Sequence, residues 1–176
     1  DGLPYLNHDL ASQIAFMEAR GDRNPLSRMT LRELQTLSLI AEGKPLAGYV
    51  GALARWFDYT LLEKTASARP DWNFVLIGPD HDQTLPESCL SLPNVHWLGA
   101  RPYQALPAYL RCFSAALIPF QLNPITHATS PLKLYEYMAA GKPVISTPIQ
   151  EAARTPGVLL AQDAGAFAEQ LERARL

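Results

Sequence analysis

Ser130-Pro131-Leu132-Lys133-Leu134-Tyr135-Glu136-Tyr137-Met138-Ala139-Ala140-Gly141-Lys142-Pro143-Val144-Ile145-Ser146-Thr147 spells a loop, a helix, an abrupt stop and a buried strand. Ser130 carries a hydroxyl able to accept a hydrogen bond from a free amide of the first turn, which marks it as the N-cap. Pro131 then suits the first helical position, where a missing N–H costs nothing. Gly141 supplies the left-handed residue that ends a helix, and Pro143 prevents its continuation. Val144 and Ile145 open a short β-branched strand.

Two polar residues of this helix call for a reason. Lys133 falls in the first turn, at the positive end of the helix dipole, where a cation is disfavoured by about 0.3–1 kcal/mol. An anion held by the free amides of that turn reverses the sign, and phosphate is the usual one. Glu136 lies three residues on, so it shares a face with Lys133 one turn deeper. A carboxylate there can accept both hydroxyls of a ribose. The spacing leaves two readings open: a nucleotide site, or an intrahelical ion pair on a solvated edge.

Working outward, the chain has 176 residues, enough for one domain with a sizeable core. Fifteen basic and 17 acidic residues give a net charge of −2 and form no basic stripe, which argues against nucleic acid as a partner. No apolar run approaches the roughly 20 residues of a membrane span. Two cysteines, Cys89 and Cys112, make neither a disulfide framework nor a metal spacing, which fits a reducing, cytoplasmic setting. No secretory leader pattern is visible. The chain opens at Asp1, so an upstream part is expected.

Fifteen prolines punctuate the sequence, many at seams between periodic segments. Residues 1–43 read as a helical extension. Leu10, Ile14 and Met17 suggest a helix near 9–19. Thr30 and Glu33 form a capping-box pattern for another near 31–42, stopped by Gly43. From Lys44 the pattern alternates regularly. Strands are expected at 46–50, 73–77, 95–98, 115–118, 144–146 and 158–161. Helices are expected from Asp58 to Ala68, from Pro102 to Phe113 with a break near Pro107, after Ser130, and from Gly165 to Arg173. Residues 80–92 and 121–130 read as loops. Short apolar strands alternating with helices imply a doubly wound, mostly parallel, Rossmann-like α/β sheet covered on both faces. In such sheets the ligand sits beyond the carboxyl ends of the strands, at the switch point. The key helix begins in that crevice.

The run from Ser130 to Thr147 resembles the donor-site segment of GT-B glycosyltransferases, close to family 4. These enzymes consist of two Rossmann-like domains, the C-terminal one binding the nucleotide-sugar. The resemblance implies that residues 44–176 are such a domain. Residues 1–43 would be the crossover from an absent N-terminal acceptor domain, and Asn7-His8-Asp9 matches the turn found there only faintly. By position Glu136 would hold the ribose and Lys133 would approach the diphosphate; these two are the catalytic candidates. Ser130, Pro131 and Leu132 would line the diphosphate at the helix start. The resemblance also implies a nucleotide-sugar donor, UDP-sugar favoured, transfer to an acceptor hydroxyl with retention, and no metal or other cofactor. One departure stands out. Many members carry a second Glu eight positions before the first, to touch the transferred sugar; here that position is Ala128, with His127, Thr126 and Thr129 as alternatives.

Further candidates come from the strand ends. Gly51 allows close backbone approach to a phosphate. Arg55 is the one basic residue of its loop, read either as a diphosphate contact or as a solvated arginine. Arg101 and Tyr103 border the position where this family cradles the nucleobase, although Tyr103 packs equally well under its helix. Trp56 and Phe57 read as core or domain interface, and His96, in a strand, as structural. Asp80-His81-Asp82 is formally a metal-binding triplet of the other large transferase fold, but its setting reads as a solvated turn. No Gly-x-Ser-x-Gly elbow or other nucleophile–base arrangement supports a hydrolase. The expectation is a donor-binding domain that binds nucleotide but transfers no sugar alone. The alternatives are a nucleotide-sugar epimerase of the same architecture, or a non-catalytic scaffold with a decayed site.

Overall fold

A computed structural model of the chain describes residues 43–175. The helices expected near 9–19 and 31–42 lie outside them. Six strands form one sheet: β1 (Leu46–Val50), β2 (Asn73–Ile77), β3 (Val95–Gly99), β4 (Ala115–Ile118), β5 (Val144–Ser146) and β6 (Leu159–Leu160). All pairings are parallel and the order is β3-β2-β1-β4-β5-β6. The chain winds outward from β1 through β2 to β3, then returns to the other side of β1 with β4. The switch point therefore lies between β1 and β4. Helices cover both sides of the sheet, as buried parallel strands require.

The helices are α1 (Tyr59–Ala68), α2 (Glu87–Leu90), α3 (Leu106–Cys112), α4 (Pro124–His127), α5 (Leu132–Ala139), α6 (Gln150–Arg154) and α7 (Ala164–Arg175). Tyr49, Phe57, Trp72, Phe74, Tyr109, Tyr137 and Phe167 are fully buried among them, each side chain contributing about 1.5–3 kcal/mol by leaving water. Asp58 caps α1 as expected, accepting from the Leu61 amide at 2.9 Å. Its own amide donates to the Pro119 carbonyl at 2.8 Å, tying α1 to the end of β4.

Several expectations need correction. Ser130 does not cap the key helix, and Pro131 is not its first residue. Pro131 is extended, at φ −70° and ψ 114°, so α5 begins at Leu132 without a side-chain cap. A proline fixes φ but not ψ, and here ψ keeps it outside the helix. Pro107 does not interrupt a helix: a 3-10 turn, Tyr103–Ala105, precedes it, and Pro107 stands in the first turn of α3. The 80–92 stretch is not all loop, since it folds a 3-10 turn, His81–Gln83, and α2. Residues 121–130 contain α4, opened by a capping box between Asn123 and Thr126. The sixth strand is shorter than expected, α7 is longer, and α6 was not anticipated.

One contact fixes α5 to the sheet. The Val50 amide donates to the hydroxyl of Tyr137 at 2.8 Å, in the buried interior. Removing that oxygen leaves a buried N–H unpaired, which costs about 1–3 kcal/mol. Tyr137→Phe is therefore expected to lower the free energy of unfolding measured in urea by that amount, seen as a lower midpoint at unchanged slope, without changing the fold. An unchanged midpoint would show that the contact carries no stability.

Candidate functional site

The crevice floor is two glycines. Gly51 follows β1 at φ +153°, and Gly78 follows β2 at φ +149°, conformations that favour glycine. The Gly51 amide donates to the Ile77 carbonyl at 2.8 Å and the Gly78 amide to the Gly99 carbonyl at 2.9 Å. A Cβ placed on Gly78 would stand 1.8 Å from the Gly51 carbonyl oxygen. No side chain fits there, so the loops after β1 and β2 touch backbone to backbone.

Lys133 lies over this floor. A Cβ on Gly51 would come within 2.7 Å of its Nζ. That Nζ donates to the Tyr49 hydroxyl at 3.3 Å, and the Tyr49 hydroxyl in turn donates a hydrogen bond to the Ala52 carbonyl at 2.9 Å. The ammonium also stands 4.9 Å from the Tyr49 ring centre and 5.2 Å from that of Phe120. Both rings offer the negative faces of their quadrupoles to a cation. Burial nevertheless pushes the Lys133 ammonium down to about 8, partly offset by the nearby Glu136 carboxylate. It is a poorly hydrated cation held at the helix start.

Glu136 points elsewhere: its Oε1 accepts from the Tyr103 hydroxyl at 3.2 Å. The two residues share a helix face but have different partners. Gly51 and Lys133 are thus brought together, with Glu136 a turn along the helix. Leu132 and Ser130 are exposed and Pro131 is buried. The Arg55 side chain is 87% exposed and stands 3.7 Å from Asp82, the geometry of a solvated loop arginine. Arg101 donates from Nε to the Tyr109 hydroxyl and from Nη1 to the Ala100 carbonyl, each at 3.0 Å.

Around Ala128, the Thr126 hydroxyl is buried and donates to the Gln121 carbonyl. The Thr129 hydroxyl donates to the Thr126 carbonyl at 2.7 Å. Both threonines are thus engaged in shaping the loop, and His127 is the exposed ionisable side chain among these three neighbours of Ala128. Asp80 accepts from the amides of Thr84 and Leu85 at 2.8 and 3.2 Å, so its triplet forms a turn. Among the described residues no group of three His, Cys, Asp or Glu side chains has the spacing of a metal site. His96 bonds Asn73 at 3.0 Å within the sheet, and Phe57 is buried core while Trp56 is exposed.

Phe120 opens the segment after β4 that the strand-end rule already brings to the crevice, whereas sequence reasoning missed Tyr49 and Tyr137. Each sits in an apolar run, where one aromatic looks like any other. The available signal was topological: Tyr49 and Phe120 lie at the carboxyl ends of β1 and β4, the two strands that flank the switch point.

In a doubly wound parallel sheet the crevice at the switch point is where ligands bind, and here a helix brings a cation and a carboxylate to it. The comparison with known families makes this specific: residues 44–175 match the glycosyl transferases group 1 family, and the chain belongs to it. It is 34% identical over 102 residues to a Bacillus subtilis (strain 168) protein named as the teichuronic acid biosynthesis glycosyltransferase TuaH. That match covers 57% of this chain and 26% of the relative. In structure it is similar to HepE of Anabaena, solved with UDP and glucose, with a TM-score of 0.60 and 16% identity over 95% of this chain and 45% of HepE. Sucrose-phosphate synthase of Thermosynechococcus elongatus gives a TM-score of 0.63 and 22% identity over 84% of this chain and 40% of the synthase. The fold is therefore that of one half of a GT-B glycosyltransferase. The chain spans about a quarter of its curated relative and less than half of these two structures.

The depressed Lys133 carries a pH signature. Its pKa is about 8 when folded against 10.5 ordinarily. Between those values the unfolded chain holds a proton that the folded chain has released, so this group makes stability rise with pH across that window. Below it, both states are protonated and the folded state bears the cost of the buried cation. Unfolding measured on either side of the window is expected to show wild type gaining stability relative to Lys133→Met. Parallel pH profiles for the two proteins would contradict that burial.

Proposed function

We propose that residues 44–175 bind the nucleotide-sugar donor of a sugar transfer to an acceptor hydroxyl. The observation that carries this reading is Lys133, held over Gly51 by Tyr49 and Phe120 at the start of α5, with Glu136 one turn deeper. A diphosphate at the helix start meets the ammonium and the unpaired amides of the first turn together. Its negative charge also restores the Lys133 proton. When the bond between the sugar carbon and the diphosphate breaks, electrons pass to the diphosphate oxygen, and these donors stabilise the charge that develops there. The sugar carbon bonds the acceptor oxygen, whose proton passes to the departing diphosphate oxygen. Glu136 accepts the ribose hydroxyls and fixes the nucleotide's position along the crevice.

UDP is the favoured nucleotide, supported by HepE, which was also solved with UDP-glucose. Helix amides and Lys133 take the place of a metal in this reading. Ser130 and Leu132 border the diphosphate through the backbone, while Arg55 and Arg101 reach it only by leaving Asp82 and Tyr109. Transfer needs an acceptor domain of the kind that forms the other half of a GT-B fold, so the 176-residue chain is expected to bind nucleotide without transferring sugar. No helix among the described residues is long and apolar enough to cross a membrane. The two free thiols, Cys89 and Cys112, suit a cytoplasmic location.

Calorimetric titration with UDP, GDP and ADP tests the reading. One nucleotide is expected to bind saturably, with affinity falling as pH rises through about 8, where free Lys133 loses its proton. Lys133→Ala and Glu136→Ala are each expected to weaken binding about tenfold or more, the scale of a charged hydrogen bond. Absence of binding by a folded chain, or binding indifferent to both substitutions, would overturn the proposal.

A further inference from the structure

Tyr103 is 70% exposed, unusual for a large aromatic side chain with an apolar core close by. It opens the 3-10 turn that follows β3. Its hydroxyl donates to Glu136 Oε1 at 3.2 Å, across 33 positions of sequence. That bond joins the half of the sheet made by β1, β2 and β3 to the helix that precedes β5, so it spans the switch-point crevice. The backbone beneath it is anchored, because Arg101 is fixed to Tyr109 and to the Ala100 carbonyl. The Tyr103 side chain can therefore leave Glu136 by rotating, with the turn unchanged.

We propose that the Tyr103 hydroxyl is a built-in competitor for the sugar hydroxyls at Glu136, closing the crevice over that carboxylate until a nucleotide displaces it. The inference rests on the reading of Glu136 as the ribose acceptor. A vicinal diol engages both oxygens of a carboxylate, and one of those oxygens is the atom that Tyr103 occupies. A diol that takes both oxygens therefore competes with the tyrosine for Oε1. A ligand that offers a single hydroxyl leaves that contact in place. Tyr103 thus acts as a positioning residue for Glu136 that lowers the affinity of ligands offering it a diol, and leaves that of single-hydroxyl ligands unchanged.

The test is a titration of the full 176-residue chain with UDP in wild type, Tyr103→Phe, Glu136→Ala and the double variant. Phenylalanine keeps the ring and deletes only the hydroxyl at an exposed site, so folding is not in question. Tyr103→Phe is expected to bind UDP about two- to fivefold more tightly, the effect of one exposed hydrogen bond no longer broken on binding. In the Glu136→Ala background the same change is expected to have no effect, a coupling that a merely structural role of Tyr103 would not produce. If Glu136→Ala weakens binding while Tyr103→Phe leaves it unchanged or weaker, the competitor is overturned and the donor-site reading stands. If Glu136→Ala binds UDP as wild type does, or wild type binds no UDP, that reading fails and the competitor with it.

Discussion

The hydrogen bond from the Val50 amide to the Tyr137 hydroxyl is the constraint on which the rest of the crevice depends. A parallel strand ends with backbone groups that the next strand no longer pairs. Here one of them is answered by a side chain from α5, 87 positions away in sequence. Because the bond is buried, it holds the helix at one height over the sheet and in one rotation about its axis. Leu134, also fully buried, backs the same face. With Tyr137 fixed, the residue one turn earlier must lie over the end of β1. That residue is Lys133, and Gly51 is what lies below it.

The placement of Lys133 works against its own solvation. A lysine left on the surface keeps its water and its ordinary basicity, whereas this one gives up much of its water to two aromatic rings and a phenol oxygen. Such exchange only partly compensates, as the lowered pKa records. Arg55 shows the opposite arrangement: fully hydrated and loosely paired with Asp82, it has little to gain from a ligand.

Much of this architecture could be read from the chain. The strands at Leu46–Val50, Asn73–Ile77, Ala115–Ile118 and Val144–Ser146 stand where short apolar runs bounded by Gly and Pro put them. Asp58 caps its helix, and Gly141 takes the left-handed conformation at φ +69°. The start of α5 was harder, because Pro131 fits either side of a helix boundary and only ψ decides. The short helix α4 was hidden by loop-like composition, although Asn123, Pro124 and Thr126 together carry the signature of a capped turn. The site divides the same way. Lys133 and Glu136 stand out as charges on an apolar helix, while the aromatic seat of Lys133 is built from residues distant in sequence that only the sheet order brings together.

The backbone contact between Gly51 and Gly78 has a consequence for redesign. Where two main chains meet with no room for a single methyl group, substitution cannot reshape the surface, so the floor beneath any bound molecule is the same whatever side chains surround it. Variation is confined to the walls: the turn after β3 and the segment between β4 and α5. An engineer seeking to reshape this crevice has those two segments to work with, and the glycine floor to leave alone.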